Sequence, residues 1–302
     1  SLAGTGGCPN PAVNTNDACY VYVAVSATTA PAGVNGFTNF ANWYTYYRAR
    51  MLAAKSAVGR TFSSLGENMR LAYQRINTCN AGLGVPATAT CPGTYVRRFT
   101  GAQRTDFFAW LLSSPMNNST PLVQAAEDVR AYMQCTNAYS PWAENPGTSV
   151  GTEHSCRQNF SIIMTDGIWN GGAVGANVDN STFTLPDGTP YSPGGLPANR
   201  RIYPDTNTGF LADVVFNTWR TDARTLNNDV PAHIQDSAGS AAEVYFNPVN
   251  DPATWQHAST YTIGLGLTGQ LDPATDYNAL LNGTLNWNGG DHVDDLWHAA
   301  IN

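Results

Sequence analysis

Asp166 directly follows a short apolar segment that is typical of a buried strand. The segment is Ser161–Met164, and the chain turns polar at Thr165, Asp166 and Gly167. In open sheets covered by helices, ligands bind beyond the carboxyl ends of the strands. The position of Asp166 therefore predicts either a residue that shapes a turn or a carboxylate that faces a ligand.

A G-x-S-x-G pattern at Gly147–Gly151 would suit a serine hydrolase. A nucleophile elbow requires a strand before the serine and a helix after it. Here residues 144–146 are Glu-Asn-Pro and residues 152–154 are Thr-Glu-His, inside a segment bounded by cysteines. The local context therefore argues against a hydrolase.

Acidic residues and a histidine cluster near the end of the sequence. Asp294, Asp295 and His298 fall on one predicted helix, with His292 nearby, but no second cluster completes a zinc shell. Residues 205–207, Asp-Thr-Asn, resemble the opening of a calcium loop that lacks its closing glutamate. Rather than metal binding, we expect capping and helix-face hydrogen bonds for the first group and a loop that enters a helix for residues 205–207.

Six cysteines form three pairs of neighbours along the sequence. They are Cys8 and Cys19, Cys79 and Cys91, and Cys135 and Cys156. Each pair encloses a short polar loop and none is a C-x-x-C motif, so nearest-neighbour disulfides are favoured over six reduced, buried thiols. Each bond would contribute about 3 kcal/mol in the chain-entropy model. The even count indicates an oxidising compartment, either periplasmic or extracellular.

Composition excludes several classes of function. The chain has 302 residues, of which 42% are hydrophobic, enough for one large domain or two modest ones. The net charge is −7, Lys55 is the only lysine and the arginines are scattered, so no basic stripe predicts nucleic-acid binding. No apolar run is long enough to span a membrane. Residues 1–10 do not resemble a signal peptide, although one could have been removed or could lie upstream.

Apolar periodicity predicts the elements that must position these residues. Helical spacing predicts helices over 39–60, 102–112, 121–133, 210–224 and 293–301. Short apolar runs predict strands over 19–25, 69–73, 96–99, 161–164 and 261–267. In the first helix we expect Trp43, Tyr47 and Met51 to face the core, and residues 171–207 read as a long irregular insertion. The alternation of helices and strands predicts an α/β domain whose sheet is covered on both faces.

Seven blocks of sequence carry a resemblance to a known family. The blocks are NFANWYTYYRARMLAAKSAVGRTF (39–62), FTGAQRTDFFAWLL (99–112), STPLVQAAEDVRAYM (119–133), CRQNFSIIMTDGIWNG (156–171), FLADVVFNTWRTDAR (210–224), WQHASTYTIGLGLTG (255–269) and DDLWHAAIN (294–302). In this order they resemble a von Willebrand factor A-type domain. The similarity is closer still to the N-terminal region of the PilY/PilC-type proteins, the tip-associated adhesins of type IV pili.

This resemblance implies a von Willebrand factor A-like fold. Its doubly wound, mostly parallel sheet carries helices on both faces and long disulfide-stapled insertions. Residues 1–38 would then be part of an N-terminal insertion and residues 39–302 the domain itself. Such proteins usually continue into a C-terminal β-propeller, which we expect to lie outside this sequence.

The resemblance also implies a role. We expect a non-enzymatic adhesion and assembly module at a pilus tip, exported through the periplasm to the cell surface. It would support pilus biogenesis, surface attachment and mechanosensing. The implied partners are minor pilins or the tip complex, together with a host or abiotic surface ligand. The alternative is a structural domain that shields a propeller or a minor pilin.

Domains of this type often hold Mg²⁺ or Ca²⁺ at a metal-ion-dependent adhesion site. Thr120 matches the threonine of the second loop of that site, and Asp166 matches the aspartate of the third. The D-x-S-x-S motif of the first loop is absent, and the nearest candidate, residues 24–28, has alanine in place of the aspartate. Either this loop is degenerate or the true first strand precedes Ser1, which we favour. Each residue also has a structural explanation, since Thr120 would cap a helix that begins at Pro121 and Asp166 would shape a turn.

Overall fold

The computed structural model describes residues 24–77, 82–115, 119–149, 151–166, 168–287 and 290–302. The chain divides into two units, Ser1–Ala57 and Val58–Asn302. Most of the predicted strand over 19–25 lies outside the described residues. Among the described residues, no helix has both the length and the apolar content that crossing a bilayer requires.

The predicted long helix from residue 39 is two helices, α1 (Gly36–Tyr46) and α2 (Arg50–Ser63). The first ends where Tyr47 N–H donates to the Trp43 carbonyl at 2.8 Å. In a continued helix the Tyr44 carbonyl would accept from the backbone of Arg48, but the Arg48 guanidinium takes it instead. Trp43 and Tyr47 are 50% and 48% exposed, so the prediction that they face the core is wrong.

The second unit contains the other helices and all described strands. The helices are α3 (Gly101–Ser113), α4 (Leu122–Met133), α5 (Leu211–Arg220), α6 (Ala241–Tyr245), α7 (Pro273–Leu281) and α8 (His292–Ile301). The strands are β1 (Arg70–Leu71), β2 (Arg97–Arg98), β3 (Phe160–Thr165), β4 (Phe183–Thr184), β5 (Pro190–Tyr191) and β6 (Ser259–Gly264). Helices α3, α4, α5 and α8 and strands β1, β2, β3 and β6 were predicted within a few residues, whereas α6 and α7 were missed.

The strands pair as three two-stranded sheets. Strands β3 and β6 are parallel, from Phe160 opposite Ser259 to Thr165 opposite Gly264, whereas β1–β2 and β4–β5 are antiparallel. The mixed α/β class is therefore confirmed. The described residues do not form the predicted doubly wound, mostly parallel sheet, because only β3 and β6 pair in parallel.

Among the described residues, the parallel pair is covered on one face only. On the covered face, the Thr262 hydroxyl donates to the Leu296 carbonyl of α8 at 2.7 Å, and Ile163 packs into a core cluster with α4 and α5. On the other face, Ile162 and Tyr261 are exposed. Side chains alternate between the faces of a strand, so this exposed row runs along the whole pair. The expectation of helices on both faces is therefore wrong for the described residues.

The segment 171–207 is part of the core rather than a surface insertion. A hairpin of β4 and β5 closes where Leu185 N–H donates to the Thr189 carbonyl at 2.8 Å, around Gly188 with φ of +90°. Tyr191 and Ile202 are almost fully buried and belong to the largest apolar cluster, with Trp255. The low regularity of the sequence hides this role because few of the buried residues lie on a helix or long strand.

The described cysteines do not follow the predicted scheme throughout. Cys91 is disulfide-bonded, and the pairings that involve Cys8, Cys19 and Cys79 lie outside the described residues. Cys135 and Cys156 are both free, so the predicted bond between them is absent. The Cys135 thiol donates instead to the Asn137 side chain at 3.1 Å.

An ion pair closes the segment that this disulfide was expected to close. The Arg224 guanidinium lies 2.6 Å from Glu153, just before Cys156, and also donates to the Cys135 carbonyl at 2.7 Å. Both charged side chains are largely buried. Charge-assisted hydrogen bonds of this kind fix the two ends of the segment without a covalent bond.

We expect the thiols to differ in their reaction with iodoacetamide. Cys156 is exposed and should be alkylated in the native protein, and Cys135 should follow after denaturation, in both cases without reductant. Cys91 should be alkylated only after reduction. Mass spectrometry of proteolytic peptides measures each reaction. A non-reduced peptide that joins Cys135 to Cys156 would contradict the structure.

Candidate functional site

Thr120 and Asp166 lie on two segments that the fold brings side by side. Asp166 directly follows β3, and Thr120 lies two residues before α4. The backbone N–H of Thr120 donates to Asn170 Oδ1, and the backbone N–H of Asn170 donates to the Thr120 carbonyl, both at 2.9 Å. Gly171, with φ of +112°, lies against Pro121. The segment after β3 and the segment before α4 therefore lie side by side, at the position of the predicted crevice.

Thr120 does not cap α4 as the sequence predicts. The helix begins at Leu122, Pro121 occupies the N-cap position, and no side chain caps the helix start. It is the carbonyl of Thr120 that accepts a hydrogen bond, from Leu122 N–H at 2.8 Å. Proline carries no N–H and fixes its own φ, so it shifts the helix start by one residue. The Thr120 hydroxyl is thus not committed to capping.

The crevice offers few metal ligands. Asp166 supplies one exposed carboxylate and Thr120 one half-buried hydroxyl. Among the described residues, no group of three or more His, Cys, Asp or Glu side chains could hold a metal ion. In residues 24–28, the nearest candidate for the missing D-x-S-x-S loop, the hydroxyls of Ser26 and Thr28 lie 3.2 Å apart and hydrogen-bond each other. This donor set does not complete the six-oxygen shell that Mg²⁺ requires.

An aromatic stack fixes the loop that follows Asp166. The Trp169 indole is buried and lies parallel to the His292 imidazole, with the two ring centroids 3.9 Å apart. It also makes an edge-on contact with Phe210, at 5.2 Å between ring centroids. Trp169 therefore ties the loop to the first residue of α8 and to the start of α5. The sequence marks Trp169 only as an aromatic residue in a polar stretch.

A buried cluster of charges lies around α8. His298 is 1% exposed, and its Nε2 lies 2.6 Å from the Tyr203 carbonyl. Since a carbonyl only accepts, this nitrogen carries a proton. Nε2 also lies 3.6 Å from Asp179 and Nδ1 lies 3.5 Å from Asp205. The imidazole therefore faces two carboxylates, with the Trp287 ring stacked on it at 4.3 Å.

The surroundings shift the pKa values in this cluster. Burial alone would lower the pKa of His298, but Asp205 and Asp179 raise it above its ordinary 6.5. Burial would raise the pKa of Asp205, but His298 and Asn207 bring it below its ordinary value. Burial raises the pKa of Asp179 to about 7. The charged forms of His298 and Asp205 are thus each favoured relative to the free side chains.

Two further aspartates hold the start of α5. Asp295 of α8 accepts hydrogen bonds from the backbone N–H groups of Leu211 and Ala212, at 3.1 and 3.0 Å. Asp213 accepts from Gly209 N–H at 2.8 Å. The amides of Leu211 and Ala212 are the first of α5, which have no partner inside the helix itself, whereas Gly209 lies just before the helix. The expectation that the acidic residues of the last helix make capping bonds is confirmed, and the caps reach a second helix.

The G-x-S-x-G segment does not form a nucleophile elbow. Ala143 and Glu153 form an isolated antiparallel bridge, and residues 146–148 between them form a turn. Ser149 is exposed in that connection. Among the described residues, no strand leads into Ser149 and no helix follows it. The geometry that activates a serine in α/β-hydrolases is therefore not built here.

Fold and site together define a mixed α/β protein with a crevice beyond the end of a parallel strand pair. Over 95% of its length the chain is 39% identical to "Type IV pilus biogenesis factor PilY1" of Pseudomonas aeruginosa strain PAO1, and 38% identical to that of strain PAK. The PilY1 of strain UCBPP-PA14 is 36% identical over 98% of the chain. The resemblance to the PilY/PilC-type proteins is thereby confirmed.

The chain spans about a quarter of the length of these relatives. No protein-family model matches the chain. No solved structure matches it either. The similarity thus relates the chain to one part of these longer proteins, and the von Willebrand factor A-like fold stays a prediction.

We expect the Thr120–Asp166 crevice to bind Mg²⁺, Mn²⁺ and Ca²⁺ weakly or not at all. One carboxylate and one hydroxyl leave most of the coordination shell to water. Isothermal calorimetry at millimolar metal concentrations measures this, with Asp166→Ala as the test variant and the exposed Asp229→Ala as the matched control. Tight binding that Asp166→Ala abolishes and Asp229→Ala retains would show that other residues complete the shell.

We expect His298→Gln to lower the free energy of unfolding by about 3–5 kcal/mol, because it leaves buried carboxylates without their cation. His233→Gln, at an exposed histidine, should change it little. Chemical denaturation of both variants measures the difference. Equal losses would show that the buried histidine has no special role.

Stability should also fall as the pH rises from about 5 to 8. The folded pKa of His298 lies above 6.5, so its contribution is complete below that value and is lost as the pH rises through the raised pKa. The folded pKa of Asp179 is also raised, from 3.8 to about 7, so the folded state retains a proton that the unfolded chain releases. Denaturation at several pH values measures the slope. A slope of opposite sign would contradict these protonation states.

Proposed function

We propose that this chain is a non-enzymatic module that supports type IV pilus biogenesis. The observation that carries the proposal is its identity of 36–39% to PilY1 proteins along nearly the whole chain. The relatives are named as biogenesis factors, which is a role in assembly. The exposed turn around Ser149 supports the same view, because it lacks the architecture of a hydrolase site.

We further propose that the module contacts a surface or a pilus component through α1, in addition to its role in biogenesis. This helix and Tyr47, directly after it, carry six aromatic side chains that are about half exposed. They are Phe37, Phe40, Trp43, Tyr44, Tyr46 and Tyr47. Exposed aromatic surface on this scale is typical of an interaction site, because water disfavours it on a free protein. Placement at the pilus tip, and attachment under force, belong to this same proposal.

The occupants proposed for this helix are minor pilins or a host or abiotic surface ligand. Tyrosine and tryptophan suit all of these, since each offers a large apolar area and a polar group. A purely structural role, in which the helix shields a neighbouring propeller or minor pilin, is the alternative. The two differ in consequence: loss of an adhesion surface reduces attachment, whereas loss of a shielding contact reduces assembly.

A chimera tests the role in biogenesis. In a P. aeruginosa strain that lacks PilY1, this chain would replace the matching quarter of a plasmid-borne PilY1. We expect the chimera to restore surface pili, measured as pilin sheared from the cells, and Ser149→Ala to restore them equally. Loss of pili in Ser149→Ala at a normal protein level would support the enzymatic alternative.

The same strain tests the contact surface. We expect Trp43→Ser with Tyr47→Ser to reduce attachment to glass several-fold while surface pilin stays unchanged. Ile234→Ser, at an exposed apolar residue outside α1, is the matched control. Loss of surface pilin in the double variant would instead favour an assembly contact for α1.

A further inference from the structure

A groove of about 700 Å³ lies in the second unit, between α3 and the segments on either side of β2. Arg75 and Arg97 line it together with Asp106 and Trp110 of α3. The hydroxyl-bearing residues of the segment 88–90 form another wall. Neither the proposed pilus contacts nor the Thr120–Asp166 crevice involves this groove. Its volume is within the range of sites that bind small ligands or short peptides.

The two guanidinium groups in the groove are not neutralised. Their Nε atoms are both buried and have no hydrogen-bond partner. Arg97 donates through Nη2 to the Pro92 carbonyl and lies over the Tyr95 ring, 4.9 Å from its centroid. Among the described residues, a carboxylate lies within 4.0 Å of Arg130 and of Arg224, but not of Arg75 or Arg97.

The groove also lies in the one strongly basic part of an acidic chain. Residues 58–115 contain six arginines and two acidic residues, which is a net charge of +4. Since the whole chain has a net charge of −7, the remaining residues carry −11. The arginines are thus concentrated in this region rather than scattered evenly along the chain. On β1 and β2, Arg70 lies directly opposite Arg98, an arrangement of like charges that costs stability. Burial and the nearby Arg98 lower the pKa of Arg70. A concentration of uncompensated positive charge favours an anionic partner.

We infer that this groove binds a carboxylate-bearing peptide segment. A guanidinium presents parallel N–H groups that match a carboxylate, and Arg75 and Arg97 place two guanidinium groups on the lining of the groove. Asp106 in the same groove disfavours a dianionic phosphate but accepts the backbone N–H of a peptide. Trp110 offers an indole against which an apolar or aromatic side chain packs.

The walls of the groove are fixed before any ligand binds. Thr88 N–H donates to the Cys91 carbonyl, and Cys91 N–H donates to the Thr88 hydroxyl, both at 3.1 Å. Tyr73 N–H donates to the Gly93 carbonyl at 2.9 Å, which joins the end of the β1 strand region to the segment before β2. A site that needs no reordering loses little conformational entropy on binding.

Binding of a synthetic peptide tests the inference. The probe is acetyl-Ala-Glu-Tyr-Glu-Ala-amide, and the control probe has glutamine in place of both glutamates. We expect saturable binding of the acidic probe to the whole chain by calorimetry, weakening as salt is raised, and no binding of the glutamine probe. Equal binding of both probes would overturn the inference.

Arginine variants locate the binding. Arg75→Gln and Arg97→Gln should each weaken binding about tenfold or more, the loss expected for a charged hydrogen bond. Arg98→Gln removes the same charge from an exposed neighbour that does not line the groove, and should leave the affinity almost unchanged. Arg75 Nε has no hydrogen-bond partner among the described residues, so its variant decides the matter if Arg97→Gln unfolds. Equal loss in Arg75→Gln and Arg98→Gln would overturn the assignment of the groove.

Competition distinguishes the class of anion. Inorganic phosphate and an oligogalacturonate are added to the complex of chain and acidic peptide. We expect neither to displace the peptide at concentrations below its own. Displacement by either one at lower concentration would overturn the peptide assignment in favour of a phosphate or an acidic saccharide. Since the assay does not involve pili, its failure would leave the proposed role in biogenesis untouched.

Discussion

The His298 imidazolium, buried between two carboxylates, is the interaction on which the second unit depends. It joins α8 to Asp179 and Asp205 of the segment 171–207, which has little regular structure of its own. A buried charge is costly unless it is paired and hydrogen-bonded. Here the cation has a carbonyl, two carboxylates and the face of Trp287 around it. The long segment is thereby held in one arrangement.

The same helix organises the rest of the unit. Asp295 of α8 holds the first amides of α5, and the Leu296 carbonyl of α8 accepts from Thr262 of β6. Through β6 this order reaches β3 and the residue at its end, Asp166. The crevice therefore lies on elements that hydrogen bonds from α8 and the β3–β6 pairing hold together. The uncovered face of the β3–β6 pair is a further surface that this frame presents.

Local pattern was sufficient to predict most elements of the second unit. Strands β3 and β6 and helices α4, α5 and α8 have strong apolar periodicity over their whole length, so their positions follow from the sequence. The pairing of Thr120 with the loop after Asp166 was reached only through family resemblance. The break between α1 and α2 could not be predicted. It depends on the Arg48 side chain, rather than the Arg48 backbone N–H, donating to the Tyr44 carbonyl.

Features that depend on distant residues were missed for a common reason. His298 and Asp179 are 119 positions apart, and nothing near either one marks the contact. The Arg224–Glu153 pair replaces the expected Cys135–Cys156 bond in the same way, because it brings in a residue far outside the loop. The basic groove was overlooked because the arginines were judged along the whole chain rather than by region. Charge pairing across a fold is a property of topology, which spacing alone does not encode.

The protonation state of His298 tests this account most directly. Nitrogen NMR of the imidazole, recorded on ¹⁵N-histidine-labelled protein from pH 5 to 9 and assigned by comparison with His298→Gln, reports both ring nitrogens. The account predicts that the change from the doubly protonated to the neutral ring occurs above the ordinary pKa of 6.5. A transition below 6.5 would contradict the account.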